Sequence, residues 1–578
     1  METRGRLLTL LSSAFFLCAT VFFFAPLHVY LTNIASFSVP LVYHALAGLV
    51  LAVAVTTAAT VALLLPRRGY AACVVAILAV AVGLWIQGNV LVWRYGPMDG
   101  RLIDWSSHWV YGVIDGAVWL ILAACSLRFS QALLKKALAI SVSFLIIQTI
   151  SLGILAFQTR EQHLPEKIQI DERGKFDLST KRNIILLIFD EFQGDIFSEL
   201  LAQEPRFKEL FDGFEYFPDT VAGASFTEIA VPFLLTGELY DNSVPRSQFL
   251  AQVFTRQAIS KLLLEQGFDA ELYPWEILAN DAIYRRTGIA SNFRSYGTSP
   301  GYRKELREYA FLIDVALFRY APHALKRHLY DQGRWGWKEL TAGGGPEKRR
   351  VTYTDNNSSL RELIRESRAL KDVPVFKVYH FAGAHIPLHD YRGTGETVKY
   401  NRANYLQVYA HLLSLTVEYL ARLKEIGVYD DTMIFVLGDH GSGRTKDLYV
   451  ASGPDGNVPR ETAPAGLGAD FPLWKARALP LLLAKPFKTR GSLRVSRAPA
   501  SLGDLPKTIA IAAGIKSSLP GEGLFDLTAA TARTRTYASF AWSPKSSEYV
   551  QPMTLFSIVG PVWLDTSWKR GKTLAPRP

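Results

Sequence analysis

Hydrophobic positions in the first 159 residues form long unbroken runs, whereas after residue 182 they come in short bursts between amphipathic stretches. Five runs, Leu7 to Leu31, Val39 to Leu65, Ala71 to Val92, Trp109 to Leu127 and Ala137 to Phe157, reach the roughly 20 helical residues that cross a hydrocarbon core. The first has no small-residue cleavage pattern and four more follow it, so it reads as a retained anchor rather than a secretory signal. Arg4 and Arg6, Arg67 and Arg68, and Arg128, Lys135 and Lys136 mark one side of these spans. The opposite loops are uncharged, as at 32–38, or balanced, with Arg94 and Arg101 against Asp99 and Asp104. The basic side is cytoplasmic, and an odd number of spans sends everything after Phe157 out of the cytoplasm.

A polar linker at 160–182 leads into a different pattern. Asn183 to Phe189 is a short, β-branched apolar run of the kind buried on both faces of a parallel sheet. Val373 to Phe381, Thr432 to Leu437 and Leu479 to Ala484 repeat it, with helical stretches between. One of these, Ala403 to Glu425, stops before Gly427. The pattern predicts a five-helix membrane domain at 1–159 and, at 183–578, an α/β/α domain with a mostly parallel central sheet. Ligands of such sheets bind at the carboxyl ends of strands.

Charge follows the same division. The chain has 63 Lys and Arg against 52 Asp and Glu, of which residues 1–159 hold 9 and 4. The excess is shared by both parts, so composition gives no sign of a nucleic-acid partner. All 3 cysteines, Cys18, Cys73 and Cys125, fall in the spans, and the exported domain must be held by its core without disulfides. Asp115 lies inside the fourth span, and Gln87 and Asn89 near the same end of the third. Intramembrane ionisable groups are costly and functional by default, so Asp115 is read either as an interhelical pin or as a contact for a lipid head group.

The strand ends carry the chemistry. Asp190 and Glu191 follow the first strand, His380 and His385 the second, and Asp439 and His440 the third. Mixed carboxylate and imidazole donors suit zinc or manganese. With Gly223 to Pro232, Gly383 to Pro387 and Gly438 to Gly441, this order resembles the alkaline phosphatase and sulfatase superfamily. Five leading spans make it similar to the lipid-dependent head-group transferases: phosphoethanolamine transferases, lipoteichoic acid synthase and the periplasmic glucan phosphoglycerol transferase. Ser501 to Ile515 and Gly521 to Phe525 match the superfamily's C-terminal landmarks.

The resemblance implies Thr227 as nucleophile, at the start of a helix whose free N–H groups favour a phosphoryl group; Ser225 is the weaker candidate. It implies one divalent metal on Asp190, Glu191, Asp439 and His440, and His385 as the group facing the phosphate or the leaving group. His380 and His389 read as a core and a loop histidine, and Arg444 and Lys446 as phosphate or acceptor contacts. The implied reaction moves a phosphoryl head group from a membrane phospholipid through Thr227 to a surface glycan or glycolipid, at the outer face of a bacterial inner membrane. Departures from the family are equally plain. No histidine follows His440, which disfavours a two-metal site, and the exported domain has no cysteine for the sulfatase formylglycine. The alternatives are a membrane-anchored phosphodiesterase and a non-catalytic scaffold of the same fold.

Overall fold

The computed structural model describes residues 3–34, 37, 39–62, 67–96, 103–160, 168–274, 282–295, 302–331, 334–337, 356–389, 398–444, 448, 466–543 and 547–576. The chain forms two compact units, one of 1–165 with 297–348 and one of 166–296 with 349–578. Segment 297–348, expected inside the catalytic domain, thus belongs with the spans.

Among the described residues five helices are long and apolar enough to cross a membrane: Gly5–Thr32, Leu41–Ala58, Gly69–Asn89, Ser106–Arg128 and Ser130–Gln158. The first contains a π turn at Thr20–Phe24, where the Thr20 hydroxyl meets the Gln148 side chain of the fifth. Helix Tyr302–Tyr320 of the inserted segment packs Leu312, Ala316 and Tyr320 against Ala25, Val29 and Tyr30. Its alternation of apolar and charged positions hid this partner, because an amphipathic helix looks the same whatever apolar surface it covers.

Asp115 fastens the insertion. Its Oδ1 accepts from Gln87 Nε2 at 3.0 Å and Trp93 Nε1 at 2.7 Å, and its Oδ2 from the His323 backbone N–H at 2.6 Å. With both oxygens engaged, the expected head-group role for Asp115 gives way to the pin. An asparagine can accept at only one of the two positions. Asp115→Asn should therefore lower stability by about 1–3 kcal/mol, the cost of stranding a buried donor, read as a fall in Tm of the full chain in detergent.

In the second unit, a sheet of seven strands among the described residues runs in the order Arg494–Val495, Glu215–Tyr216, Leu482–Lys485, Thr432–Gly438, Asn183–Phe189, Val375–Phe381, Asp269–Tyr273. The last four are mutually parallel, while Leu482–Lys485 is antiparallel to Thr432–Gly438. Side chains alternate between two cores. Ile184, Leu186 and Ile188 face helix Thr227–Thr236, while Ile185, Leu187 and Phe189 face helix Arg402–Glu425. A second sheet of Thr534–Ser539, Met553–Val559 and Trp568–Leu574 completes the unit.

Candidate active site

Register brings the site together. Phe189 pairs with both Phe381 and Gly438, so the three central strands end level. Ile188 pairs with His380 and with Leu437, placing His380 on the face covered by the Thr227 helix. Asp190 and Asp439 lie two residues beyond Ile188 and Leu437, and strand alternation brings them to the same face. Asp190, His380 and Asp439 each offer a ligand atom within 4.8 Å of the others, and all three are buried. His440 Nε2 lies 3.6 Å from Asp190 Oδ1 and 3.6 Å from Asp439 Oδ2. Its Nδ1 faces the Gly441 carbonyl at 2.8 Å, which assigns the proton to Nδ1 and turns the Nε2 lone pair inward.

These residues fit a divalent cation. Asp190 Oδ1 and Asp439 Oδ2 are buried without a hydrogen-bond donor among the described residues. Burial, then Asp439 and Glu191, pushes the Asp190 carboxyl well above the usual carboxylate range, a repulsion that a cation relieves. Burial pushes His380 down to about 4, keeping it in the neutral form that ligates. Two carboxylates and two imidazoles are thus available, and His380, read from sequence as core, is one of them.

Thr227 is the first residue of its helix, after Phe226 in the capping position. Its hydroxyl is 3.4 Å from Asp190 Oδ2 and 3.4 Å from His440 Nε2. Ser225 is tied elsewhere, with its hydroxyl 3.0 Å from Tyr537 OH and 3.2 Å from the Ala538 carbonyl. Gly383 lets the chain pass close to Asp190. Its φ is +57°, and a Cβ there would stand 2.2 Å from the Asp190 carbonyl oxygen.

Glu191, expected as a metal ligand, is engaged instead by two arginines and a tyrosine. Its φ of +61° breaks the strand alternation. Its Oε1 receives Arg444, 2.5 Å from Nη2, and Arg477 at 3.5 Å, while Oε2 accepts from Tyr400 OH at 3.0 Å. Burial opposes ionisation, but Arg444, His385 and Arg477 outweigh it and hold the Glu191 carboxyl far below its ordinary value.

Arg477 was not singled out from sequence. It is buried, donates to the Ser225 carbonyl and lies over the Phe226 ring at 4.4 Å, so it sets the segment that presents Thr227. A buried arginine in an ordinary helix, Phe471–Ala478, carries no motif; its burial alone reveals it.

Arg444 Nη2 lies 2.7 Å from His385 Nε2, and His385 Nδ1 faces the Ile386 carbonyl. Burial, then Arg444, pushes the imidazole down to about 3. In this arrangement His385, expected to face the phosphate or the leaving group, is a neutral acceptor for Arg444. Lys446 lies outside the described residues. His389 is half-buried in the loop after the cis Ile386–Pro387 bond.

The Arg444–His385 pair has a pH signature. Arg444→Gln removes one of the two main causes that depress His385, so the imidazole takes up a proton at a higher pH than before. The wild type should show no His385 acid limb above pH 4. The variant should acquire one on the acid side of neutrality, together with a loss in kcat/KM of about 10–100-fold from the missing guanidinium. A pH profile of kcat/KM for both proteins checks this.

The sulfatase family model matches residues 182–515, more than half of the chain. The protein belongs to the sulfatase family. No curated protein matches it. Among solved structures it is similar to Ps i-CgsB in complex with k-i-k-neocarrahexaose, at 17% identity, 68% of this chain, 86% of that one and TM-score 0.40. A second is an alkaline phosphatase superfamily protein from Vibrio parahaemolyticus, at 13% identity, covering 71% and 86%, with TM-score 0.35. A third is the lipoteichoic acid synthase LtaP from Listeria monocytogenes, at 10% identity, covering 70% and 90%, with TM-score 0.35.

Proposed function

We propose that the protein transfers a phosphoryl head group, of phosphoethanolamine or phosphoglycerol type, from a membrane phospholipid to a surface glycan or glycolipid. The observation that carries this reading is the Thr227 hydroxyl, 3.4 Å from Asp190 Oδ2 and 3.4 Å from His440 Nε2 at the N-terminus of its helix. The membrane is taken to be a bacterial inner membrane, with the catalytic unit on its periplasmic side, because the basic loops lie on the opposite side of the spans.

A cation held by Asp190, Asp439, His440 and His380, zinc or manganese by donor type, would acidify the Thr227 hydroxyl and neutralise a phosphoryl oxygen. Thr227 Oγ attacks phosphorus, its proton passes toward Asp190 Oδ2, and the bond to the diacylglycerol oxygen breaks. Diacylglycerol leaves with a proton, and the head group stays on Thr227 as a phosphodiester. An acceptor hydroxyl then displaces Thr227 and restores its proton. Asp190, Asp439 and Glu191 together with Arg444 and Arg477 carry a formal charge of −1 that a divalent cation would turn to +1. That sign matches a phosphodiester monoanion.

Head-group-radiolabelled phospholipid, supplied with and without an envelope glycan fraction, tests the reading. Label should move into the glycan only when glycan is present. Label appearing solely as a free water-soluble head group would replace transfer with hydrolysis.

A further inference from the structure

The membrane unit contains a cavity of about 300 Å³, walled on one side by Val21, Ala25 and Leu84 of two spans and on the other by Ala316, Leu325 and His328 of the insertion. Its size lies within the usual range for small-molecule pockets. Its lining is almost wholly carbon, and Val21, Ala25 and Leu84 belong to helices long and apolar enough to cross a membrane.

Contacts on both sides of the cavity fix the insertion against the spans. Gly88 lets Tyr320 lie against the third span, since a Cβ there would come 2.4 Å from the ring. Arg319 Nε donates to the Gly88 carbonyl at 2.8 Å, and Asp115 holds the start of helix His323–Leu329. That helix bears Lys326, Arg327 and His328 and no acidic residue. Lys326 is buried and donates to the carbonyls of Phe318 and Arg319. Arg327 and His328 remain exposed, with Arg327 Nε 3.2 Å from His328 Nε2.

We propose that this cavity receives one acyl chain of a glycerophospholipid whose phosphate rests against Arg327 and His328. The proposal rests on the lipid-donor reading above and names the place where the donor is held. Inside a bilayer an apolar pocket gains little from hydrophobicity, because lipid tails are as apolar as its walls. Selection of a lipid molecule therefore falls to His328 in the cavity wall and its exposed neighbour Arg327, whose side chains are complementary to phosphate.

The test uses the full chain in vesicles of phosphatidylethanolamine and phosphatidylglycerol, carrying a trace of phospholipid with a diazirine at the acyl end. After irradiation, labelled peptides are mapped by mass spectrometry. Label should concentrate on residues 316–329 and 21–25, relative to helix Ser130–Gln158. Leu325→Trp fills the cavity from its wall and Arg327→Glu reverses the charge beside His328; both positions are exposed. Each should reduce the enrichment, by roughly tenfold for the charge reversal, and Thr227→Ala should leave it unchanged. Uniform labelling of all spans, or enrichment that survives Leu325→Trp, overturns the proposal. Groove labelling without any lipid turnover would instead remove the transfer reading and leave the groove standing.

Discussion

Thr227→Ala should abolish lipid turnover, lowering kcat by on the order of 10⁴-fold or more, as expected when a covalent nucleophile is removed. Among the described residues the nearest alternative, Ser225, is tied elsewhere. Ser225 is held by Tyr537 and the Ala538 carbonyl, and its own carbonyl accepts from Arg477. The cation site should be intact in this variant, because Asp190, His380 and Asp439 cluster with one another and His440 lies against both carboxylates, while the Thr227 contacts are long, at 3.4 Å. Metal content at wild-type stoichiometry beside a silent turnover assay would identify Thr227 as nucleophile rather than ligand. Thr227→Ser should recover part of the rate, since it keeps the hydroxyl at the same helix N-terminus.

His380→Ala is expected to have the second largest effect. Removing a ligand should weaken metal binding and turnover by more than about 100-fold, beyond the loss typical of outer-shell partners. Metal analysis of the dialysed protein and turnover with added zinc or manganese would measure it. Glu191→Gln makes the informative contrast. It disturbs Arg444 and Arg477 but should leave metal stoichiometry near that of the wild type, because the Glu191 carboxylate faces the guanidiniums. The opposite pattern, with metal lost in Glu191→Gln and kept in His380→Ala, would restore the ligand set expected from sequence.

Much of the architecture could be read from hydrophobic pattern. Five long apolar runs and four short ones are patterns that depend only on local chain geometry. The antiparallel course of Leu482–Lys485 could not be read, because a strand buried on both faces has the same composition in either direction. Nor could the home of segment 297–348, whose apolar stripe could have covered the sheet as well as the spans.

The site divides in the same way. Asp190, Thr227, Asp439 and His440 sit at strand ends or a helix start, where sequence order and the superfamily motifs mark them. His380 and Glu191 are two positions where the structure departs from the sequence reading, His380 lying with Asp190 and Asp439 and Glu191 with Arg444 and Arg477. The first lies one residue inside its strand, where a histidine looks like core, and its value follows from register with Ile188 and Leu437. The second is set by a positive φ that reverses its direction, a backbone property that no residue pattern announces at glutamate. Arg477 is a matter of tertiary burial alone.

The most direct measurement is the intact mass of the full-length protein after incubation with phospholipid vesicles and divalent metal, without glycan acceptor. The expected result is a mass increase equal to one phosphoryl head group, located on Thr227 by peptide mapping, absent from Thr227→Ala and discharged when acceptor is added. Consumption of the phospholipid by a chain that never gains mass would contradict the covalent transfer scheme.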